Sequence, residues 1–203
     1  RRYNPNVSVV PMAVARAAYD RIRRASAADG TLVLGWAGTA GGLRYLESLA
    51  PVLREVSARH SIVVRVISGG YSAVRLPGVP LDARPWRAET ALQDLKSFDI
   101  GLVPLDDTPF EQAKFPFKLL QYLALGIPAV SSRVGVTPDV IEHTRNGLLA
   151  GSPSEWTDAL ECLIGDAALR SRLGEAGRET VAARYTIDRV APLLLDGLTF
   201  AAR

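Results

Sequence analysis

Residues 114–135, KFPFKLLQYLALGIPAVSSRVG, decide how the rest of the chain is read. Lys114 stands in a loop that runs into an apolar segment, residues 117–125. Phe117, Leu120 and Ala124 repeat there at helical spacing and point to a core. Lys118, Gln121 and Tyr122 fall at i, i+3 and i+4, so a helix puts them together on its other face. Gly126-Ile127-Pro128 makes a tight turn, residues 129–131 read as a buried strand, and Gly135 marks the next turn. A helix, a turn and an apolar strand in immediate succession are one unit of an alternating α/β chain.

The same alternation extends in both directions. Residues 7–10 are a short β-branched run closed by Pro11. Residues 31–36 (TLVLGW), 62–67 (IVVRVI) and 100–103, inside FDIGLVPL, are further apolar runs of strand length. Near-continuous apolarity is expected of strands buried on both faces of a parallel sheet. Between them Leu43, Leu46, Leu49-Ala50 and Leu53 recur at helical spacing, as do Ala91 and Leu95. Residues 71–85 are proline-rich and read as a loop with one short strand near residues 81–83. The last quarter is helical. Ser152-Pro153-Ser154-Glu155 has the form of a capping box with proline at the first helical position. Trp156, Ala159, Leu160, Leu163 and Ile164 trace its apolar face. A second helix covers about residues 167–183, and Thr186 opens a third that Pro192 should kink. The pattern predicts an α/β fold: a Rossmann-like doubly wound parallel sheet with helices on both faces and a helical C-terminal segment.

Composition narrows the function classes. The 203 residues carry 24 Lys and Arg against 21 Asp and Glu, a net charge of +3 that does not by itself mark a nucleic-acid binder. The basic segment over residues 16–27, with Arg16, Arg21, Arg23 and Arg24, reads as a solvated helix face diluted by Asp20 and, just beyond it, Asp29. With one cysteine, Cys162, no internal disulfide forms, which fits a reducing compartment. No apolar run is long enough to span a bilayer, and the first ten residues lack a signal-peptide pattern. Their abrupt start in a strand-like segment suggests a piece of a longer protein.

Chemistry is expected beyond the carboxyl ends of the strands, where open α/β sheets bind ligands. Four loops leave such ends. The first, Gly38-Thr39-Ala40-Gly41-Gly42, is glycine-rich and opens a helix. It can hold a phosphate on backbone N–H groups or serve as a plain flexible turn. Ser68-Gly69-Gly70 is the second, residues 104–117 the third and residues 132–137 the fourth. In the third, Lys114 and Lys118 beside the positive end of a helix suit a diphosphate, and Gln121 suits a sugar hydroxyl. The competing reading is two solvated lysines. Trp86 either stacks on a base or packs against the fold. Asp106 and Asp107 form a loop pair, His60 and His143 lack metal-ligand neighbours, and Cys162 reads as a small core residue.

At these residues the chain resembles the C-terminal, donor-binding half of a retaining glycosyltransferase of family 4, which has the two-Rossmann-domain (GT-B) architecture. The matching pieces are NVSVVP, LGWAGTAGGLRYLESLAPVL, FDIGLVPL, AKFPFKLLQYLALGIPAVSSRVGV, NGLLAGSPSEWTDAL and LRSRLGEAGRETVAARYT, nearly the whole chain. The resemblance implies one domain over residues 1–203, an absent N-terminal acceptor domain, and a last helix, about residues 187–198, that crosses back to it. It implies transfer from a nucleotide-diphospho-sugar, a UDP- or GDP-sugar, to a glycan or lipid-linked acceptor with retention, needing no metal or other cofactor. Lys118 matches the phosphate-binding position and Lys114 a loop position near the same phosphates. Gln121 matches the ribose-binding position, Gly38 and Thr39 the loop that approaches the diphosphate, and Gly135 with Val136 the glycine turn beyond the last strand.

Two departures stand out. Many members carry two glutamates with seven residues between them, and those positions are Ala113 and Gln121 here. Glu111 is two residues out of register with the first. The arginine often found after the first sheet strand is also missing, and Trp36 stands near its place. A subset with a lysine–lysine–glutamine pattern and a turn like Trp36-Ala37-Gly38 is more similar. Three readings stay open: half of an active transferase in polysaccharide biosynthesis, a sugar-nucleotide-binding module without catalysis, or a protein-interaction domain. The expected setting is cytoplasmic, compatible with peripheral association at the inner face of a membrane.

Overall fold

The structure is a computed structural model that describes residues 7–22 and 30–201. Arg23, Arg24 and Asp29 of the basic segment lie outside the described residues. Six parallel strands form one sheet: β1 (Leu32–Gly38), β2 (Ile62–Ser68), β3 (Leu81–Pro85), β4 (Ile100–Val103), β5 (Ala129–Ser132) and β6 (Leu148–Ala150). Their order across the sheet is β3-β2-β1-β4-β5-β6. The chain winds outward from β1 to β3 and then returns to lay β4, β5 and β6 on the other side. Neighbouring connections therefore diverge between β1 and β4, which leaves a crevice beyond their carboxyl ends.

The helices are α1 (Arg16–Asp20), α2 (Leu43–Ser48), α3 (Ala50–Arg59), α4 (Ala91–Lys96), α5 (Pro109–Ala113), α6 (Phe117–Ala124), α7 (Thr137–Val140), α8 (Pro153–Gly165), α9 (Ala167–Arg184) and α10 (Ile187–Ala201). Alternation along each strand sorts side chains to two faces. Leu34, Trp36, Val64, Val66, Ile100, Leu102 and Val130 meet α2, α3 and α8 on one side. Val33, Ala37, Ile67, Val103 and Ala129 meet α6 and Leu95 of α4 on the other. Each Leu-sized side chain fully buried in these layers contributes roughly 1.5–3 kcal/mol, so the sheet is a rigid platform for its loops.

Gly35 of β1 and Gly101 of β4 stand opposite each other in the ladder. A Cβ at Gly35 would lie 1.9 Å from the Phe98 ring, and one at Gly101 would lie 2.5 Å from the Tyr122 ring. Those two rings pack edge to face with centroids 5.8 Å apart. At the end of α6 the N–H of Gly126 donates to the Leu123 carbonyl and that of Ile127 to the Tyr122 carbonyl, both at 2.9 Å. Gly126 takes φ +68°. This is a left-handed helix stop that favours glycine. Ser152 caps α8 by accepting the Glu155 N–H at 3.2 Å, and Asp166 caps α9 by accepting the Leu169 N–H at 2.8 Å.

Three expectations need correction. Residues 7–10 form no strand: Val9 is 83% exposed, and a β-branched run without a partner ladder or an apolar face to bury stays irregular. The nearest pairing is a single bridge between Val14 and Thr186. Tyr122 does not share a ligand-facing surface with Lys118, because it is 0% exposed beneath β1 and β4. Helix α6 is covered by the sheet and by α9, so residues on both its sides are buried. Cys162 is exposed on α8 rather than in the core. Strand β6 is an addition: three residues give too little periodicity to be recognised. Helix α10 continues through Pro192 and leaves Leu193, Leu194, Leu195, Leu198 and Phe200 exposed. Among the described residues no helix is long and apolar enough to cross a membrane.

Candidate functional site

A cleft of about 600 Å³ opens at the carboxyl edge of the sheet, where β1 and β4 diverge. Its floor is the end of β1 (Trp36, Ala37, Gly38) with Leu102, Val103 and Pro104 of the β4 end. Thr39, Ala40 and Gly42 of the glycine-rich turn form one wall, with Tyr45 of α2 beside them. Gly69 and Trp86, beyond β2 and β3, close one end. Residues 114–118 form the opposite wall.

Local chemistry explains how each wall is placed. The Trp36 ring lies against the glycine turn, where a Cβ at Gly38 would stand 2.5 Å from it and one at Gly42 3.3 Å. Glycine at these positions lets the backbone approach the indole. Behind the floor, the Ala37 N–H donates to the buried Tyr122 hydroxyl at 2.9 Å, which ties the end of β1 to α6. Lys118 occupies the first turn of α6, and that turn faces the cleft. Lys114 follows α5 as its terminal cap, with its Nζ 6.0 Å from the centre of the exposed Phe110 ring.

Among the described residues lining the cleft, only Lys114 and Lys118 are charged. Burial pushes the Lys118 ammonium below its ordinary pKa, and among the described residues no carboxylate offsets it. A half-buried, uncompensated cation is stabilised by any anion that enters. The positive end of α6 adds to the same field. The arrangement can hold a polyanion against one wall and a flat apolar group near Trp86, which is 48% exposed.

Five of the residues singled out from sequence therefore converge: Gly38, Thr39, Trp86, Lys114 and Lys118. Three do not line this cleft. Gln121 is 9% exposed; its Nε2 donates to the Tyr19 hydroxyl at 3.1 Å, and its Oε1 is buried without a partner. Gly135 packs against α5, and Val136 precedes α7 as its cap. Gly135 has φ +56°, and a Cβ there would stand 2.8 Å from the Gln112 carbonyl oxygen. The histidines have structural surroundings. His143 accepts the Leu149 N–H on Nδ1 at 3.0 Å, and His60 lies 3.7 Å from Glu161. Asp107 accepts from the Gln112 amide at 2.7 Å, and among the described residues no cluster of His, Cys, Asp or Glu could hold a metal ion. Sequence reasoning also missed Tyr45 and Glu111, which meet only through the fold.

A second hollow, about 440 Å³, lies along the same edge toward β5 and β6, lined by Pro104, Ser132, Arg133, Gly151 and Trp156 among others. Its lining includes both a cation, Arg133, and an acid, Asp107, and so lacks the uniform charge of the first.

Fold and cleft together define a Rossmann-like domain with a cationic crevice at its topological switch point. Residues 42–166 match the family model described as glycosyl transferases group 1, well over half of the chain, and the chain belongs to that family. It is 26% identical over 164 residues to the GDP-mannose-dependent alpha-(1-6)-phosphatidylinositol monomannoside mannosyltransferase of Mycobacterium tuberculosis, covering 78% of this chain and 37% of that protein. The structure is similar to sucrose-phosphate synthase from Thermosynechococcus elongatus, with TM-score 0.73 and 16% identity over 96% of this chain and 53% of that one. It is similar too to Anabaena HepE in complex with UDP and glucose, with TM-score 0.72 and 13% identity over 92% of this chain and 55% of that one. At such identities the structural likeness speaks for the fold alone, a Rossmann-like doubly wound parallel sheet. The chain spans 37% or less of its first curated relatives and about half of these structural neighbours.

Proposed function

We propose that this chain is the donor-binding half of a retaining glycosyltransferase of family 4, and that the cleft holds the nucleoside diphosphate of a UDP- or GDP-sugar. The observation that carries this is the cleft's charge: two lysines, and no acid among its described lining residues, at the switch point between β1 and β4. Lys118 takes the diphosphate from the start of α6, and Lys114 reaches it from the end of α5. Gly38 and Thr39 let the backbone approach from the other wall. Trp86 stacks on the base. Gln121, buried outside the lining of the cleft with Tyr19 on its amide, reaches the ribose hydroxyls only by leaving that hydrogen bond.

As the sugar leaves its diphosphate, negative charge grows on the bridging oxygen. Fixed ammonium groups and the α6 dipole stabilise that charge without reorganising, so the two lysines supply what a metal ion would otherwise provide. The acceptor, a glycan or lipid-linked sugar, enters from a second domain, which packs on the exposed leucines of α10. We place the protein in the cytoplasm, with peripheral contact at the membrane's inner face where the acceptor is lipid-linked. The relative described as GDP-mannose-dependent and the neighbour solved with UDP and glucose support a nucleotide-linked donor.

Ala113 and Gln121, standing where many members carry glutamates, favour a second reading: a sugar-nucleotide-binding module without turnover. Calorimetric titration of the chain with UDP, GDP and ADP, repeated on Lys118→Ala and Lys114→Ala, tests the donor site. The expected result is selective binding of one nucleotide, weakened more by Lys118→Ala, whose side chain the helix fixes. Unchanged affinity in both variants overturns the phosphate assignment. Sugar transfer by the full-length protein separates the enzyme from the module.

A further inference from the structure

Helix α5 has an unusual anchor. It is five residues long, and Glu111 is its single buried residue. Phe110, the apolar side chain that would ordinarily dock such a helix, is exposed. Hydrophobic packing therefore does not place α5; a carboxylate does. Glu111 is 0% exposed, and a carboxylate removed from water is costly unless paired and hydrogen-bonded. The Tyr45 hydroxyl donates to one of its oxygens and the Thr108 hydroxyl to the other. The Arg44 guanidinium stands 3.5 Å from the first oxygen. Arg44 also donates to the Tyr45 hydroxyl at 2.6 Å and lies 4.6 Å over its ring.

These four residues belong to two loops on opposite sides of the cleft. Arg44 and Tyr45 begin α2, directly after the glycine-rich turn. Thr108 and Glu111 belong to α5 and its cap, directly before Lys114. Tyr45 and Lys114 both line the cleft. The Gly135 turn also closes on α5, so tightly that a Cβ there would stand 2.9 Å from the Glu111 carbonyl oxygen. The helix is thus held by its carboxylate and by the close approach of a glycine turn to its backbone.

We infer that Glu111 is a positioning residue: its carboxylate clasps α5 to α2 and so fixes the gap between the glycine-rich turn and Lys114 that a donor diphosphate spans. This rests on the proposal that the cleft holds a nucleoside diphosphate. Glu111 touches no donor atom and acts through Lys114. Gly135 belongs to the same device, serving the site through α5 rather than by contact with the donor.

The test is a thermodynamic cycle on the 203-residue chain, using Glu111→Ala, Lys114→Ala and the double variant. Each is titrated with UDP and GDP and with uridine and guanosine. Loss of one charge-assisted contact predicts roughly tenfold weaker diphosphate binding for Glu111→Ala and for Lys114→Ala alike. The double variant is expected to be no weaker than either single one, because the two residues act as a unit. Nucleoside affinity is expected to stay within about twofold, since Trp86 and the sheet are untouched. A merely structural role for Glu111 predicts a different pattern: equal losses for diphosphate and nucleoside. That pattern overturns the inference, as does unchanged diphosphate affinity or an additive double variant. Where Glu111→Ala does not fold, Tyr45→Phe removes one arm of the clasp and keeps the ring, and it carries the same comparison. Absence of diphosphate binding by the unmodified chain overturns the donor-site proposal together with this inference. Binding that Lys114→Ala weakens and Glu111→Ala leaves alone overturns the inference only.

Discussion

Lys118→Met separates a functional lysine from a structural one, because the two effects it should produce have opposite signs. In the free protein burial pushes the Lys118 ammonium below its ordinary pKa, with no carboxylate among the described residues in compensation. The folded state therefore holds its proton less tightly than the unfolded chain. Stability consequently rises with pH from the folded pKa up to the unfolded value near 10.4, and at neutral pH the charge is a burden on the fold. Methionine keeps the length of the stem and removes the charge, so the variant should melt higher. A gain of about 1 kcal/mol would raise Tm by about 2–4 °C in a chain of this size. Donor binding should move the other way. Losing charge-assisted hydrogen bonds to a diphosphate costs about 1.5–3 kcal/mol, which is roughly 10- to 150-fold in Kd. Differential scanning calorimetry at pH 7 and isothermal titration with UDP and GDP read both quantities on one preparation. A melting temperature that falls while diphosphate affinity stays unchanged would refute the reasoning, since it would make Lys118 a packing residue.

Two further outcomes test the frame around the site. Tyr122→Phe removes the buried hydroxyl that accepts the Ala37 N–H at 2.9 Å; the orphaned donor should cost about 1–3 kcal/mol and lower Tm by roughly 2–12 °C, and an unchanged Tm would mean that water replaces the hydroxyl. Asp82 is partly desolvated, which raises its pKa, but hydrogen bonds from Arg84 and Arg65 outweigh this and hold the carboxylate below its ordinary value. Its contribution is therefore fully present above the unfolded pKa, near 3.9, and is lost as pH falls through the folded one. Asp82→Asn should accordingly flatten the fall of Tm below about pH 4, and an unaltered acid limb would show the pair to be inert.

Much of the frame was legible because burial on both faces of a parallel sheet leaves an apolar signature. The runs at TLVLGW, IVVRVI and FDIGLVPL, and the strand after Gly126-Ile127-Pro128, are β1, β2, β4 and β5. The turn at Gly126 was legible for a related reason: a helix stop of this geometry favours glycine. Residues 7–10 misled because β-branched composition measures propensity and says nothing of a partner strand. Tyr122 misled because helical spacing assigns one inward face, whereas α6 is enclosed by the sheet and by α9. In the candidate site, Gly38, Thr39, Lys114 and Lys118 could be grouped in advance because all follow carboxyl ends of strands, which topology brings to one edge; Trp86 stood outside those loops and joins them because β3 ends at Pro85. Glu111 could not, since its partner Tyr45 is 66 residues away and neither residue type stands out in its own loop.

Everything proposed for the cleft depends on a nucleoside diphosphate binding between the glycine-rich turn and the two lysines. Amide and indole chemical-shift mapping of the chain, titrated with UDP and GDP, tests it most directly. Saturable shifts are expected at Gly38, Thr39, Gly69, residues 114–118 and the Trp86 indole, reproduced weakly or not at all in Lys118→Met. Shifts centred instead on Arg133, Gly151 and Ser152 would place the ligand in the neighbouring hollow and overturn the donor-site assignment, as would a spectrum that neither nucleotide changes.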